Sequence, residues 1–416
     1  MREALRLAVL GGSGVATPEL IDQLGRTIDR PAFHVSLVGR DRTKLEAVGA
    51  MCKRLADRAT PPITVDTFLD PRQGLEGADY VLNQIRVGGY AGRAFDETYP
   101  HEFGIPGEET FGPGGMNMAL RTIPVVLELC GVVQEVAPAA LMINLTNPSS
   151  MVQYAISRLT HIKVVSICDL PMMAAQMIGD LLEVPRGDLL VRYTGMNHFG
   201  WVTGVHWHGR DVLQPVLEKI MALPNLPVEP DIVRALGVIP TSYFKYFYHP
   251  NRVLAAQQGK RPRAEELLEL EAEIQAAYQT TMPEEKPASL VRRNAAWYEH
   301  MVVPLIVAHS GDSGEQQYLQ ISNDQALPFM PAGAIVEVPC IVRRDAFLPL
   351  AYDRGLPADL EALLFTNATF EMLWAEAITE KSYFKALRAM LMNHLVGDYD
   401  QAVAILKRIW PKQENS

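Results

Sequence analysis

Cysteine is scarce and scattered in this chain. Among 416 residues there are four, Cys52, Cys130, Cys168 and Cys340, and no two form a C-x-x-C unit. That spacing excludes a disulfide framework and a thiolate-rich structural zinc site, and it favours reduced thiols in a cytoplasmic setting. Positive charge is short as well: 38 Lys and Arg stand against 48 Asp and Glu, a net charge of −10. Without a basic surface no nucleic-acid partner is expected, and an anionic ligand must be gripped by a few placed arginines. No uninterrupted apolar run approaches the roughly 18 residues of a membrane helix, so no membrane partner is expected either. The apolar run after Arg2 and Arg6 is cut by Gly11 and Gly12 and reads as a first strand, not a secretory signal. Internal repeats and low-complexity segments are also absent.

What is present is core-forming material in an ordered pattern. Hydrophobic residues make up 48% of the chain, and the length allows two or three domains. Residues 5–10 form a short apolar strand, followed by the turn Gly11-Gly12-Ser13-Gly14 and a helix with Thr17 as N-cap and Pro18 at its first position. A second strand covers 34–38. This order begins a dinucleotide-binding unit, in which a helix N-terminus receives a pyrophosphate. Further strands are predicted at 78–84, 140–145 and 163–167, separated by apolar helices such as 123–136, where Pro124 suits a first turn. The alternation predicts an α/β protein: a Rossmann-like doubly wound parallel sheet over 1–170, then a mixed α+β substrate- and metal-binding domain over 171–416. In the latter, 265–278 reads as a helix, 334–342 as a strand, 360–396 as a helix pair, and the tail 411–416 is expected to fray.

Ligands of such sheets bind beyond the carboxyl ends of the strands. Asn83 and Arg86 lie at the end of one predicted strand, Asn147 beyond another, and Cys168 with Asp169 beyond a third. His198 sits in Y-T-G-M-N-H-F-G-W, where Gly195, Asn197 and Gly200 suggest a backbone bent to present a side chain. A thiolate and an imidazole suit a borderline-soft divalent ion. Taken singly, each has a plainer reading: a lone cysteine is usually a small packed hydrophobe.

Several long motifs in register carry more weight. They are I-R-V-G-G-Y-A-G-R-A-F-D-E at 85–97, E-T-F-G-P-G-G-M-N-M-A-L-R at 109–121, N-L-T-N-P at 144–148, S-I-C-D-L-P at 166–171, Y-T-G-M-N-H-F-G-W at 193–201, P-T-S-Y-F-K-Y-F-Y at 240–248 and A-I-V-E-V-P-C-I-V at 334–342. With these the chain resembles, nearly end to end, glycoside hydrolase family 4, the NAD- and metal-dependent glycosidases.

The resemblance implies an unusual hydrolysis, outside the two-carboxylate displacement scheme. Bound NAD takes a hydride from C3 of the sugar, a base removes the acidified C2 proton, the aglycone leaves, and water and the hydride return. Manganese or another divalent metal holds the C2 and C3 oxygens as a Lewis acid. By resemblance, Cys168 and His198 are the metal ligands, Asp169 the proton donor and Tyr243 the base. Gly11, Gly12, Ser13, Gly14, Arg40 and Asn83 fall to the cofactor. Arg86, Arg263 and Arg293 are the arginines expected near a phosphate, with Asn147 beside the sugar. In this family the residue after the metal cysteine tracks specificity. Histidine accompanies unphosphorylated sugars, asparagine 6-phospho-β-glucosides and aspartate 6-phospho-α-glucosides, so Asp169 implies a phosphorylated disaccharide or glucoside, α in type. Relatives are homodimers or homotetramers.

The chain departs from the pattern in three places. Gly39 and Arg40 stand where an acid meets the adenosine ribose, which admits NADP as an alternative. The turn lacks the third glycine that relatives carry before the serine. The stretch 293–296 reads R-N-A-A in place of R-G-G-A. The rival readings are a plain nicotinamide dehydrogenase of the lactate or malate type and a non-catalytic sugar-phosphate sensor on the same scaffold; within the family, the alternatives are a 6-phospho-β-glucosidase or an unphosphorylated α-glycoside hydrolase.

Overall fold

The computed structural model describes residues 4–280, 286–352 and 355–411, so most of the tail expected to fray lies outside the described residues. Its centre is one sheet. Strands β1 (Ala4–Leu10), β2 (Ala32–Val38), β3 (Ile63–Phe68), β4 (Tyr80–Asn83), β5 (Leu141–Asn144) and β6 (Lys163–Ser166) run parallel in the order β3-β2-β1-β4-β5-β6. That order is the doubly wound dinucleotide-binding arrangement. The sheet continues past β6 into β7 (Leu189–Met196), β8 (Phe199–Trp207), β9 (Arg210–Asp211), β10 (Ile239–Pro240), β11 (Gln316–Ser322), β12 (Ile335–Val342) and β13 (Phe347–Pro349). Along this half the order is β6-β11-β12-β7-β8-β10, with antiparallel pairing, and β9 and β13 are flanking additions. A single residue pair, Gln320 opposite Ser166, joins the two halves.

The parallel strands read as unbroken apolar runs because both faces are covered. In β1, Leu7 and Val9 face a core with Leu20, Ile21 and Leu24 of the helix Thr17–Arg26. Ala8 and Leu10, between them, face a second core with Met116 and Ile123 of the helix Gly112–Val136. The C-terminal helices Ala358–Thr379, Tyr383–Met392 and Tyr399–Ile409 contribute to that second core. Fully buried Trp374 seals the contact by donating its indole N–H to the Met116 carbonyl at 2.9 Å.

Three expectations are corrected. Thr17 is the first helical residue and Ala16 the cap, so the threonine hydroxyl is free to accept from Gln84 Nε2 at 3.2 Å. Pro124 lies inside a helix that begins at Gly112, with its ring exposed, where it lacks the N–H that would bond the carbonyl four residues back. That same helix is long and apolar enough, by length and composition, to cross a membrane, although no such run was expected. Its apolar residues are those of a core helix, packed against the helices Gly89–Thr98, Ser149–Leu159 and Ala358–Thr379. The strand β3 and the helix Arg42–Ala56 were not anticipated.

Candidate functional site

The turn after β1 is built for close approach. Gly11 has φ 86°, and a side chain on it would meet the Gln84 carbonyl oxygen at 2.9 Å. A Cβ on Gly12 would meet the Leu37 backbone at 2.8 Å. The amides of both donate to the Val38 carbonyl, at 3.1 and 2.9 Å, so Gly11 to Gly14 is drawn against β2 with the following helix aimed at the cleft. Gln84 braces the turn from β4: its Nε2 reaches Thr17 Oγ1, and its Oε1 accepts from the Tyr298 hydroxyl at 2.7 Å. Arg293 belongs to this end of the cleft, its guanidinium 5.2 Å from the Trp297 ring centroid. Beyond β2, Arg40 is exposed and the Asp41 carboxylate caps the next helix, accepting from Lys44 N at 3.0 Å. Asn83 is fully buried and donates to Asn144 Oδ1 at 2.9 Å, which turns its amide into a polar network between strands. The glycine turn, the helix N-terminus and the lack of room for any Cβ fit a dinucleotide.

The second cluster lies beyond β6. Cys168 is buried with its thiol 3.9 Å from Asp169 Oδ1. Burial, reinforced by the charges of Glu337 and Asp169, pushes the thiol well above its ordinary pKa. Burial also raises Asp169. His198 occupies the tight turn between β7 and β8 with φ 62°, a conformation that costs on the order of 1–3 kcal/mol for a residue with a Cβ. Gly195 and Gly200 permit the turn, since a Cβ on Gly195 would sit 2.3 Å from the Gly200 Cα. The imidazole is buried, which lowers its pKa to about 4 and leaves a neutral donor at pH 7. One face stacks on Tyr243, with ring centroids 4.0 Å apart and planes at 16°. Nδ1 lies 2.8 Å from Thr110 Oγ1.

Tyr243 was expected to be activated by a lowered pKa. Burial first, and the charges of Glu108 and Cys168 after it, raise the phenol well above its ordinary value. A cation at the Cys168–His198 pair is what would reverse this, as it would for the thiol. Among the described residues no group of three or more His, Cys, Asp or Glu side chains is arranged to hold a metal. A thiol and a neutral imidazole are donor types that a divalent cation takes.

Of the expected phosphate residues, Arg86 pairs with buried Glu109 and lies 5.5 Å from the Tyr90 ring centroid. Arg93, 2.8 Å from Glu109 and 2.6 Å from Glu97, completes a charged row. Burial opposes ionisation of Glu109, but the two guanidiniums outweigh it and hold the carboxyl below its ordinary value. Arg263 opens the helix Arg263–Thr280 and pairs with Glu266 at the surface, while the Ala264 amide beside it donates to Glu97 at 2.9 Å. Arg86 and Arg263 thus flank one row, and Arg293 stands apart from it. Asn147 is half-buried between β5 and the helix Ser149–Leu159.

Sequence reasoning gave no role to Glu108, Glu109, Thr110, Tyr298 or Glu337. Glu109 and Thr110 lie inside a quoted motif and Glu108 just before it, but the partner of Thr110 is far away in the chain: Thr110 and His198 are separated by 88 positions. Glu337, buried on β12 opposite Gly195, sits in an apolar stretch that advertises only a strand.

Fold and site together define an α/β enzyme in which the glycine turn after β1 and Cys168 with Asp169 after β6 lie at the carboxyl end of one parallel sheet. Comparison with known proteins gives the family. The profile described as "Family 4 glycosyl hydrolase" matches residues 7–184, and that of the family's C-terminal domain matches 193–396. The chain belongs to glycosyl hydrolase family 4 and is a glycoside hydrolase. A Bacillus subtilis protein named "Probable 6-phospho-beta-glucosidase" is 33% identical, over 98% of this chain and 96% of its own. A 6-phospho-α-glucosidase of Leptotrichia buccalis is 28% identical, over 97% and 98%. A crystal structure of the Thermotoga maritima 6-phospho-β-glucosidase with manganese, NAD+ and glucose-6-phosphate superposes with a TM-score of 0.89 at 26% identity, covering 97% of each chain. Lactate dehydrogenases share the fold more distantly, as with the Eimeria maxima enzyme at a TM-score of 0.58 and 14% identity, covering 92% of this chain and 97% of that one.

Proposed function

We propose that this chain is a 6-phosphoglucosidase, α in type, working in the cytoplasm as a homodimer or homotetramer with bound NAD and a divalent cation such as manganese. The observation that carries the reading is the packing of Tyr243 on His198, with the Cys168 thiol near enough to act on the Tyr243 phenol and Asp169 beside it after the last parallel strand. Named relatives of both anomeric types act on 6-phosphorylated glucosides, and a solved relative binds NAD, manganese and glucose-6-phosphate. All four cysteines are buried and unpaired, as suits a reducing compartment.

The chain's own groups have separate tasks in this reading. Cys168 and His198 hold the cation, and the buried neutral imidazole is ready to do so without losing a proton. Tyr243 removes the C2 proton. Asp169, whose carboxyl burial keeps closer to the protonated form, gives a proton to the leaving oxygen. Arg86 spends part of its five-donor guanidinium on Glu109 and has N–H groups left for a phosphate oxygen. Arg263 is the second phosphate candidate, Asn147 orients the sugar, and Arg293 stands nearer the nucleotide. When bound, nicotinamide supplies reversible hydride transfer and the cation supplies Lewis acidity. The two portions 1–170 and 171–416 then divide the labour between nucleotide and sugar.

Asp169 favours the α anomer. The 33% identity to a relative named for β-glucosides favours the other, and Gly39-Arg40 favours NADP. One screen decides among them: nitrophenyl α- and β-glucosides, each with and without a 6-phosphate, assayed with manganese and either cofactor. Release of nitrophenol from the α 6-phosphate alone, dependent on metal and NAD, is the expected result. Release without either addition would overturn the proposed chemistry.

A further inference from the structure

Thr110 stands between a carboxylate and the imidazole, and its hydroxyl has one proton for two partners. Oγ1 lies 2.6 Å from Glu108 Oε2 and 2.8 Å from His198 Nδ1. The Thr110 backbone amide donates to that same Glu108 oxygen, which is therefore an acceptor twice over. Glu108 is buried; burial and the neighbouring Glu109 charge, working against the Thr110 hydrogen bonds, bring its carboxyl to about 7. With Glu108 ionised the oxygen facing Thr110 can only accept, so the hydroxyl proton points to Glu108. The threonine oxygen can then only accept from His198, and Nδ1 must carry the imidazole proton.

We propose that Thr110, backed by Glu108, fixes the tautomer of His198 so that the lone pair is on Nε2, the nitrogen free to meet a cation. The inference rests on the reading of His198 as a metal ligand. It makes Thr110 a positioning residue: it touches neither metal nor sugar but decides which imidazole nitrogen is available and holds the ring's azimuth. The surroundings keep the relay in place. Phe111, the next residue, packs on Phe199 and Tyr246 with centroids 6.1 and 5.7 Å away, and Tyr243 covers the other face of the imidazole. The hydroxyl's proton assignment and the imidazole's are thus set by one buried carboxylate two hydrogen bonds away from the imidazole.

The test uses the full chain labelled with 15N-histidine, stripped of metal, at neutral pH. Among the chain's 10 histidines, His198 is identified by the signal that vanishes in His198→Gln. The expected spectrum shows Nδ1 protonated and Nε2 bare, the reverse of the tautomer that free imidazole favours in water. Manganese affinity is then titrated. Thr110→Val, which keeps the shape and loses the hydroxyl, is expected to bind about 10- to 100-fold more weakly, the usual loss when the partner behind a ligand histidine is removed. Thr110→Ser is expected to restore both the tautomer and the affinity, and it keeps the inference testable should the valine variant not fold. An Nε2-protonated His198 in the wild type, or a folded Thr110→Val variant with wild-type affinity, would overturn the role of Thr110 alone. Manganese binding indifferent to both Cys168→Ser and His198→Gln would overturn the metal-site reading itself.

Discussion

Replacing Glu337 by glutamine should stabilise the metal-free protein, and by an amount that grows with pH. The side chain is buried on β12, receives one hydrogen bond, from Gln320 Nε2 at 2.9 Å, and leaves Oε2 without a partner. Burial pushes its carboxyl from 4.5 to about 8, against the lesser pull of Gln320 and of the Tyr193 hydroxyl, which lies toward it short of a made hydrogen bond. A carboxyl raised in the fold contributes its stability below the unfolded value of 4.5 and loses it as pH climbs toward 8. Each unit between those limits removes about 1.4 kcal/mol. The accumulated penalty is about 1 kcal/mol at pH 5 and about 3 kcal/mol at pH 7, from the two pKa values and that slope. Glutamine keeps the acceptor for Gln320 and brings a neutral donor for Tyr193, so it avoids the penalty without opening a cavity. Urea unfolding of both proteins at pH 5 and 7, with chelator present, should show the variant's advantage widening by about 2.5 kcal/mol across that interval. A constant difference would mean that Glu337 is ionised within the fold throughout, and the account of a proton-bearing carboxyl under Cys168 would fail.

Three further outcomes are expected. Gly11→Ala should lose NAD binding measured by fluorescence titration, because φ 86° and a carbonyl 2.9 Å from the new Cβ leave the turn no room; retained affinity would contradict the assigned nucleotide site. Cys168→Ser should weaken manganese binding at least tenfold by calorimetry while leaving NAD affinity unchanged, since a cation ionises a thiol into an anionic ligand far more readily than a hydroxyl. Turnover in heavy water should place deuterium at C2 of the released sugar, read by NMR, and protium there throughout would exclude Tyr243 as a base at that carbon.

Much of this molecule was legible in one dimension because its determinants are local. Alternating apolar strands and helices, cut by Gly11 and Gly12, foretold β1, β2, β4, β5 and β6 within a few residues. The strand β3 escaped because only its Ile63 and Val65 are buried, and its other positions are polar or half-exposed. Thr17 looked like a cap because threonine commonly is one, but here its hydroxyl answers Gln84 from another strand. Pro124 looked like a helix start because the rule against interior proline is strong; an exposed ring and a long packed helix overrode it. At the site, the motif positions of Cys168, Asp169, His198 and Tyr243 were visible, and their mutual geometry was not.

The sequence alone determined the order of most elements, the glycine turn and the candidate cation ligands, since backbone propensity, apolar periodicity and donor chemistry are properties of short segments. The tertiary structure decided what each of those residues experiences. Burial made His198 neutral and kept the Cys168 thiol protonated, Glu109 gathered Arg86 and Arg93 into one row, and Glu108 reached His198 through Thr110. Desolvation and pairing depend on which distant segments converge, and for Thr110 and His198 that means the antiparallel half of the sheet, joined to the parallel half through Gln320 and Ser166.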